Sequence, residues 1–456
     1  MLYNIKNFLK VNETKILIII SLILAISLTL YAFPGIFYSD TYQRMYGAEY
    51  IIHSELNLTI KTTVTFLPVF FMAMCKKICG NFAVYTLLSA FLYFFISYYA
   101  VKKIGIRNRW LQYLLFTLNP ILFLVSIWNT PDILCGVMLL CLIFLLSKEL
   151  KLYDFVLIML CSMFIFGYKE NSYTVLPLIL FYIFYNKNWE KIKKVFCLSS
   201  ILFGIVIVFA MQGCSNVKKI PLYAGGPSWE LLNVIEKLPE QKKFEYTNKI
   251  SSPDKIQLIL DKLHENNSDL NGYYWENKYP FSVYNVARNN ISKDIINAYI
   301  KIAKDYPKEF VQVKMYFIGR ILGIKKPLNI AEYDYDRFNI MHKFGFYDSD
   351  GRYYICRIFN KYAKYSLIRF PYVLFILSLI LLIIAKRIKS DNFSLYLKFY
   401  LFAVFYYGAF LITTHSFEIR YFFPSYYLLF MLSISVITEL IPKLSYKKVD
   451  SVNLLK

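Results

Sequence analysis

Asp40 is the lone carboxylate of residues 34–44, and it lies a few residues beyond an apolar run, 17–33, that Pro34-Gly35 stops. An acid at such a membrane–water boundary faces a lipid-borne and a water-borne molecule at once. Its chemistry would be that of a general base toward an acceptor hydroxyl. Arg44 follows one helical turn later. Two distant turns add charge: Lys169-Glu170 within residues 167–171, and His415, Glu418 and Arg420 within residues 415–420. Arginine offers a bidentate fork and lysine a point charge, so Arg44, Lys169 and Arg420 are candidates to neutralise a departing anion. Glu418 is placed to orient Arg420 or to contact a substrate hydroxyl. Blander readings exist for four of them: Asp40 as the N-cap of a helix opening at Thr41, Lys169 and Glu170 as a solvated ion pair, His415 as an interfacial residue.

These residues need elements to hold them at one depth. The chain has 456 residues, is 57% hydrophobic and 19% aromatic, and has a mean hydropathy of +0.43. Apolar runs near bilayer length recur with no strand-like alternation, which predicts an all-α integral membrane protein with about ten transmembrane helices. The expected spans are 17–33, 81–101, 111–128, 132–147, 152–168, 172–185, 195–212, 368–385, 397–414 and 421–441. The first run is too long for a signal core and is expected to stay in the mature protein. Residues 62–75 carry Pro68 and end in Cys75-Lys76-Lys77. With that stretch lying in the membrane surface, nearly every dense basic cluster of the short loops falls on the side of the N-terminus. The expected topology is then a multi-pass protein of the cell membrane with both termini cytoplasmic, and with Asp40, Lys169 and Arg420 on the outer face. The net charge of +22 reads as this topology signal rather than as a nucleic-acid footprint.

Composition divides the chain into 1–213, an N-terminal transmembrane module whose first external loop (34–80) carries Asp40; 214–365, a mostly helical extracytoplasmic domain; and 366–456, a C-terminal transmembrane module. The middle segment has amphipathic stretches at 228–238, 253–264 and 292–324, the last interrupted by Tyr306-Pro307. Its aromatic groups, Tyr273-Tyr274-Trp275 and Tyr333-Asp334-Tyr335-Asp336, suit either sugar stacking or plain packing. Cys214 and Cys356 flank it and are candidates for a disulfide across its base. No Asp-x-Asp pair occurs in the first loop, which argues against divalent-metal dependence without closing the metal question, and no cofactor is expected.

The layout resembles the GT-C type glycosyltransferases, in particular those of bacterial surface glycans. The likeness rests on a first span, an acidic motif in the first external loop, surface helices after it and a string of further spans. It also rests on Pro34-Gly35 through Asp40 and Gln43, Asn129-Thr130-Pro131-Asp132, Tyr306-Pro307-Lys308-Glu309-Phe310 and Glu418-Ile419-Arg420-Tyr421-Phe422-Phe423-Pro424. The resemblance implies transfer of a sugar from a polyprenyl-phosphate-linked donor to a glycan, lipid or cell-wall acceptor. Asp40 would be the catalytic base, and Arg44, Lys169, Glu170, His415, Glu418 and Arg420 would bind substrate. The chain departs from the pattern in having Thr41 rather than a second acid beside Asp40, and Phe66-Leu67-Pro68 where a His-Pro-Pro run is common. A surface-polysaccharide polymerase or ligase fits the same layout. A transporter or flippase fits less well, because the middle thirds of the spans are almost bare of charge.

Overall fold

The structure is a computed structural model and describes residues 12–36, 39–53, 60–62, 64–105, 108–219, 223–265, 279–282, 285–286, 289–330, 350–413 and 417–453. His415 and the aromatic groups at 273–275 and 333–335 lie outside these residues. The chain is built of helices: α1 Glu13–Tyr31, α2 Ser39–Ile52, α3 Phe66–Cys79, α4 Ala83–Ile104, α5 Arg109–Leu118, α6 Pro120–Val125, α7 Pro131–Leu145, α8 Leu152–Tyr168, α9 Leu176–Tyr185 and α10 Lys191–Cys214. After them come α11 Gly225–Ile235, α12 Pro253–Glu265, α13 Ser292–Asp305, α14 Pro307–Ile321, α15 Asp350–Tyr365, α16 Pro371–Arg387, α17 Phe393–Thr413 and α18 Phe423–Asn453. Two three-residue strands, β1 Ile60–Thr62 and β2 Val217–Lys219, pair in parallel.

Among the described residues, five helical segments, Glu13–Tyr31, Ala83–Ile104, Lys191–Cys214, Phe393–Ile412 and Ile419–Ile441, are long and apolar enough to cross a membrane. The other expected spans form shorter apolar helices. Pro131–Leu145 and Leu152–Tyr168 are helices of 15 and 17 residues. The run 111–128 is broken, because the Asn119 side chain accepts from the amides of Ile121 and Leu122 at 3.1 Å each and caps a new helix opened by Pro120. Residues 172–185 are likewise divided into a tight segment, Glu170–Val175, and the ten-residue α9.

The long helices bury narrow seams and leave the rest apolar and uncovered. On α1, Leu17, Ser21, Ala25 and Leu28 are buried against α4, whereas Ile19, Ile23 and Leu30 are exposed. Small residues at four-residue spacing let the two backbones approach, as helices in lipid require. Tyr31, Ala83, Pro131, Tyr168, Cys214 and Phe423 come together at one end of the bundle, here the upper end. The lower end is tied by ion pairs at the helix ends: Glu13 of α1 with Arg109 of α5 at 2.8 Å and Lys148 with Asp154 of α8 at 2.7 Å, while Trp189 donates to the Lys148 carbonyl.

Both ends of α3 meet the upper end. Thr65, its N-cap residue, donates to the Tyr168 carbonyl at 2.9 Å, and Lys76 in its last turn pairs with Glu49 of α2. The stretch 62–75 therefore packs along the upper end and does not run through the bundle. The β1–β2 pair joins this first loop to the chain just after α10.

In the middle segment, α11 packs on α13 and α14 around Trp229, Leu232, Ile235, Ile295, Ile302 and Phe317. The stretch 292–324 divides at Tyr306-Pro307 into two helices, since Pro307 suits a first helical turn and cannot continue the preceding one. Buried Glu230 accepts from Lys314 and Tyr299, both at 2.6 Å. Cys214 and Cys356 are free thiols, Cys214 exposed at the end of α10 and Cys356 half-buried on α15, so the pairing considered from sequence is absent.

Candidate active site

The upper end is organised by two short backbone bridges. Ile36 pairs with Trp128 in a parallel bridge, with the Asn129 amide donating to the Ile36 carbonyl at 3.0 Å. Gly35 makes the approach possible. Its φ is +128°, and an added Cβ would lie 2.5 Å from Thr86 Oγ1 and 2.8 Å from Asn129 Nδ2. The Thr86 hydroxyl sits 2.6 Å from the Pro34 carbonyl and 2.8 Å from Asn129 Oδ1. The second bridge pairs Asn329 with Glu418, and the Ile419 amide donates to the Asn329 carbonyl at 3.0 Å.

These bridges aim the side chains. Asp40 lies in the first turn of α2, one residue inside the helix rather than at the cap position expected from Thr41. A carboxylate is favoured there by the partial positive charge of the helix N-terminus. Thr41 and Arg44 both donate to the Asn129 carbonyl at 3.0 Å, which fixes that turn on the Asn129-Thr130-Pro131-Asp132 segment. Asp40 Oδ2 then accepts from Arg420 Nη1 at 2.7 Å and lies 3.8 Å from Arg44 Nη2. The other two nitrogens of Arg420 also have partners close by: Nε lies 2.7 Å from Glu418 Oε2 as an ion pair, and Nη2 donates to the Tyr421 hydroxyl at 2.9 Å.

A second ion pair adjoins the first. Asp132, in the first turn of α7, is completely buried, and Lys169 Nζ, just after α8, is 2.8 Å from its Oδ1. The Lys169 ammonium also lies 5.3 Å from the centre of the Tyr421 ring, and the Arg420 guanidinium 4.8 Å from it. Tyr421 thus links the two pairs through cation–π contacts. The result is a charge-balanced cluster of three carboxylates, Asp40, Asp132 and Glu418, with three cations, Arg44, Lys169 and Arg420.

Burial alone would push the Asp40 carboxyl up. The Arg420 and Arg44 guanidiniums, the hydrogen bond from Arg420 and the Lys169 ammonium more than offset this and hold its pKa down at about 2. Asp40 is therefore a firmly ionised carboxylate and, in this arrangement, a weak proton acceptor.

Of the residues named from sequence, Asp40, Arg44, Lys169, Glu418 and Arg420 come together. Glu170 is exposed at the head of the segment Glu170–Val175. His415 lies outside the described residues. Asp132 and Tyr421 were not named as site residues. The signal for Asp132 was available, since an acid opening a thoroughly apolar helix is a functional candidate by default; Tyr421 carried none beyond its place beside Arg420. Among the described residues no group of three His, Cys, Asp or Glu side chains is arranged to hold a metal ion. No protein-family model matches the chain, and neither a curated protein nor a solved structure matches it.

Proposed function

We propose that the chain is a membrane glycosyltransferase that moves a sugar from a polyprenyl-phosphate carrier to a glycan, lipid or cell-wall acceptor outside the cytoplasm. The observation that carries the reading is the meeting of Asp40, Arg420 and Lys169, from three distant parts of the chain, in one buried cluster at the upper end. A fold held by apolar helix packing does not need three acids and three bases there, and buried ion pairs contribute little net stability compared with apolar residues. The opposite end carries Lys102, Lys103, Arg109, Lys148, Lys151, Lys191, Lys193, Lys194, Lys386 and Arg387. By the positive-inside rule that end is cytoplasmic. The shorter apolar segments complete ten crossings of the cell membrane, both termini face the cytoplasm, and the cluster opens outward.

The chemistry follows from the competition for Arg420. A donor phosphate is the stronger bidentate partner for a guanidinium, so its arrival draws the Arg420 fork from Asp40. The carboxylate then loses the largest of the attractions that keep it a weak base, and its proton affinity rises where the acceptor hydroxyl arrives. In the transfer step the acceptor oxygen bonds to the anomeric carbon and its proton passes to Asp40. The bond between that carbon and the phosphate oxygen breaks, and its electron pair stays on the phosphate beside Arg420 and Lys169. A single displacement of this kind inverts the anomeric configuration.

The test is Asp40→Asn in membrane vesicles supplied with radiolabelled polyprenyl-phosphate sugars. Removing a general base costs about 10²–10⁴-fold in rate, and donor binding should be retained because Arg420 is left freer to engage phosphate. Wild-type turnover in that variant removes Asp40 from the mechanism. Transfer of preassembled glycan chains, in place of single sugars, reassigns the protein to the polymerases and ligases.

A further inference from the structure

The helix α15, Asp350–Tyr365, is not part of the ion-pair cluster, yet it carries an ordered outer surface. Its buried face is Arg352, Ile355, Phe359 and Ala363. Phe359 meets Trp128 edge-on at 5.4 Å, and Gly351 passes so close to the Tyr31 carbonyl that any side chain there would collide. The helix therefore starts at the upper end of α1 and crosses the roof beside Trp128. It then leads through Leu367–Arg369 directly into α16.

Around its circumference, at about 100° per residue, three kinds of side chain follow in sequence. The buried face comes first, flanked by the half-buried Cys356 and Asn360 and the exposed Tyr353. Next comes a basic stripe of Arg357, Lys361 and Lys364, all exposed. Last comes a stripe of Tyr354, Ile358, Tyr362 and Tyr365, which are 53%, 45%, 54% and 77% exposed. Four large apolar or aromatic side chains in one stripe are costly in water. Tyrosine with lysine and arginine beside it is the composition of a helix lying where hydrocarbon, headgroups and water meet. The neighbours continue the surface: Leu30 and Tyr31 at the end of α1 and Leu367 before α16 are exposed as well.

We infer that the outer face of α15 lies in the headgroup layer of the membrane, with the Tyr354–Tyr365 stripe against acyl chains and Arg357, Lys361 and Lys364 on anionic lipid phosphates. This rests on the apolar helices crossing a membrane and not on the transferase reading. Charge complementarity selects the lipid: the stripe is uniformly basic, and the helix has Asp350 as its one acid.

The experiment uses the full chain in vesicles of equimolar phosphatidylglycerol and phosphatidylcholine, with bromine on the acyl chains of one lipid or the other, so that composition stays constant. An indole is added by Tyr362→Trp or, should that variant fail to fold, by Tyr354→Trp; the wild-type emission is subtracted, and Leu258→Trp serves as a comparison away from α15. The added indole is expected to be quenched by both bromolipids, at least about twice as strongly by the brominated phosphatidylglycerol, because each basic side chain near an anionic surface favours it severalfold. Adding Arg357→Gln and Lys361→Gln should remove that preference and leave the quenching itself. Quenching by aqueous acrylamide with none by bromolipid overturns the proposal and marks the face as one open to water or to a soluble partner. Equal quenching by the two bromolipids overturns the choice of anionic lipid.

Discussion

Replacing Arg420 by glutamine tests whether the cluster is a single electrostatic unit. The substitution removes two charge-assisted contacts of 2.7 Å, one to Asp40 and one to Glu418. Each such contact contributes about 1.5–3 kcal/mol, and the carboxylates left behind are 22% and 9% exposed. Arg44, at 3.8 Å from Asp40, compensates only in part. The expected loss is about 3–5 kcal/mol, the usual cost of removing one partner from a buried pair. It can be read from titration with a denaturing detergent in mixed micelles, following the emission of Trp128, which is buried beside the site. The decisive comparison adds Glu418→Gln to Arg420→Gln in the same chain, which removes one acid and one base and leaves Asp40 facing Arg44 and Asp132 facing Lys169. With the remaining cluster charge-balanced, more than half of the lost stability should return. A loss under about 1 kcal/mol for the single variant, below what even one such contact contributes, would refute the reasoning. So would a double variant no more stable than the single one.

Two further outcomes follow from the same geometry. Asp40 has a folded-state pKa below its unfolded value, so its contribution is complete above about pH 4 and is lost as pH falls toward 2; wild type should lose about 2 kcal/mol more than Asp40→Asn across that window in acid unfolding. Gly35→Ala should lower the thermal midpoint through a strain of about 1–3 kcal/mol, and Thr86→Ala in the same chain should recover only part of it, because relieving the Thr86 collision leaves the positive φ in place.

Local patterns in the chain were legible where a short-range rule decides the outcome. Tyr306-Pro307 divides two helices because proline cannot extend the first. Residues 62–75 stay at one end because a short, proline-bearing run with a lysine pair is poorly suited to crossing. The break at Asn119 was not legible, since hydropathy averages over an asparagine that caps the next helix with its own side chain. The site was legible in its residue types and hidden in its pairings. Arg420 reaches Asp40, but nothing in spacing said that Lys169 would turn to Asp132, or that the Tyr421 ring would stand between the two cations. Those choices are set by which helices become neighbours, and a periodic pattern does not encode neighbours.

The Asp40–Arg420 pair spans 380 positions of sequence, which has a consequence for how the protein is made. A ribosome adding about 5–20 residues per second takes roughly 20–80 s to travel that distance. Throughout this interval Asp40 has Arg44, 3.8 Å away in the folded protein, as its nearby cation. The two acids and two cations made before residue 418 already balance in charge, so what a chain shorter than 420 residues lacks is the 2.7 Å contact that ties the far end of the sequence to α2.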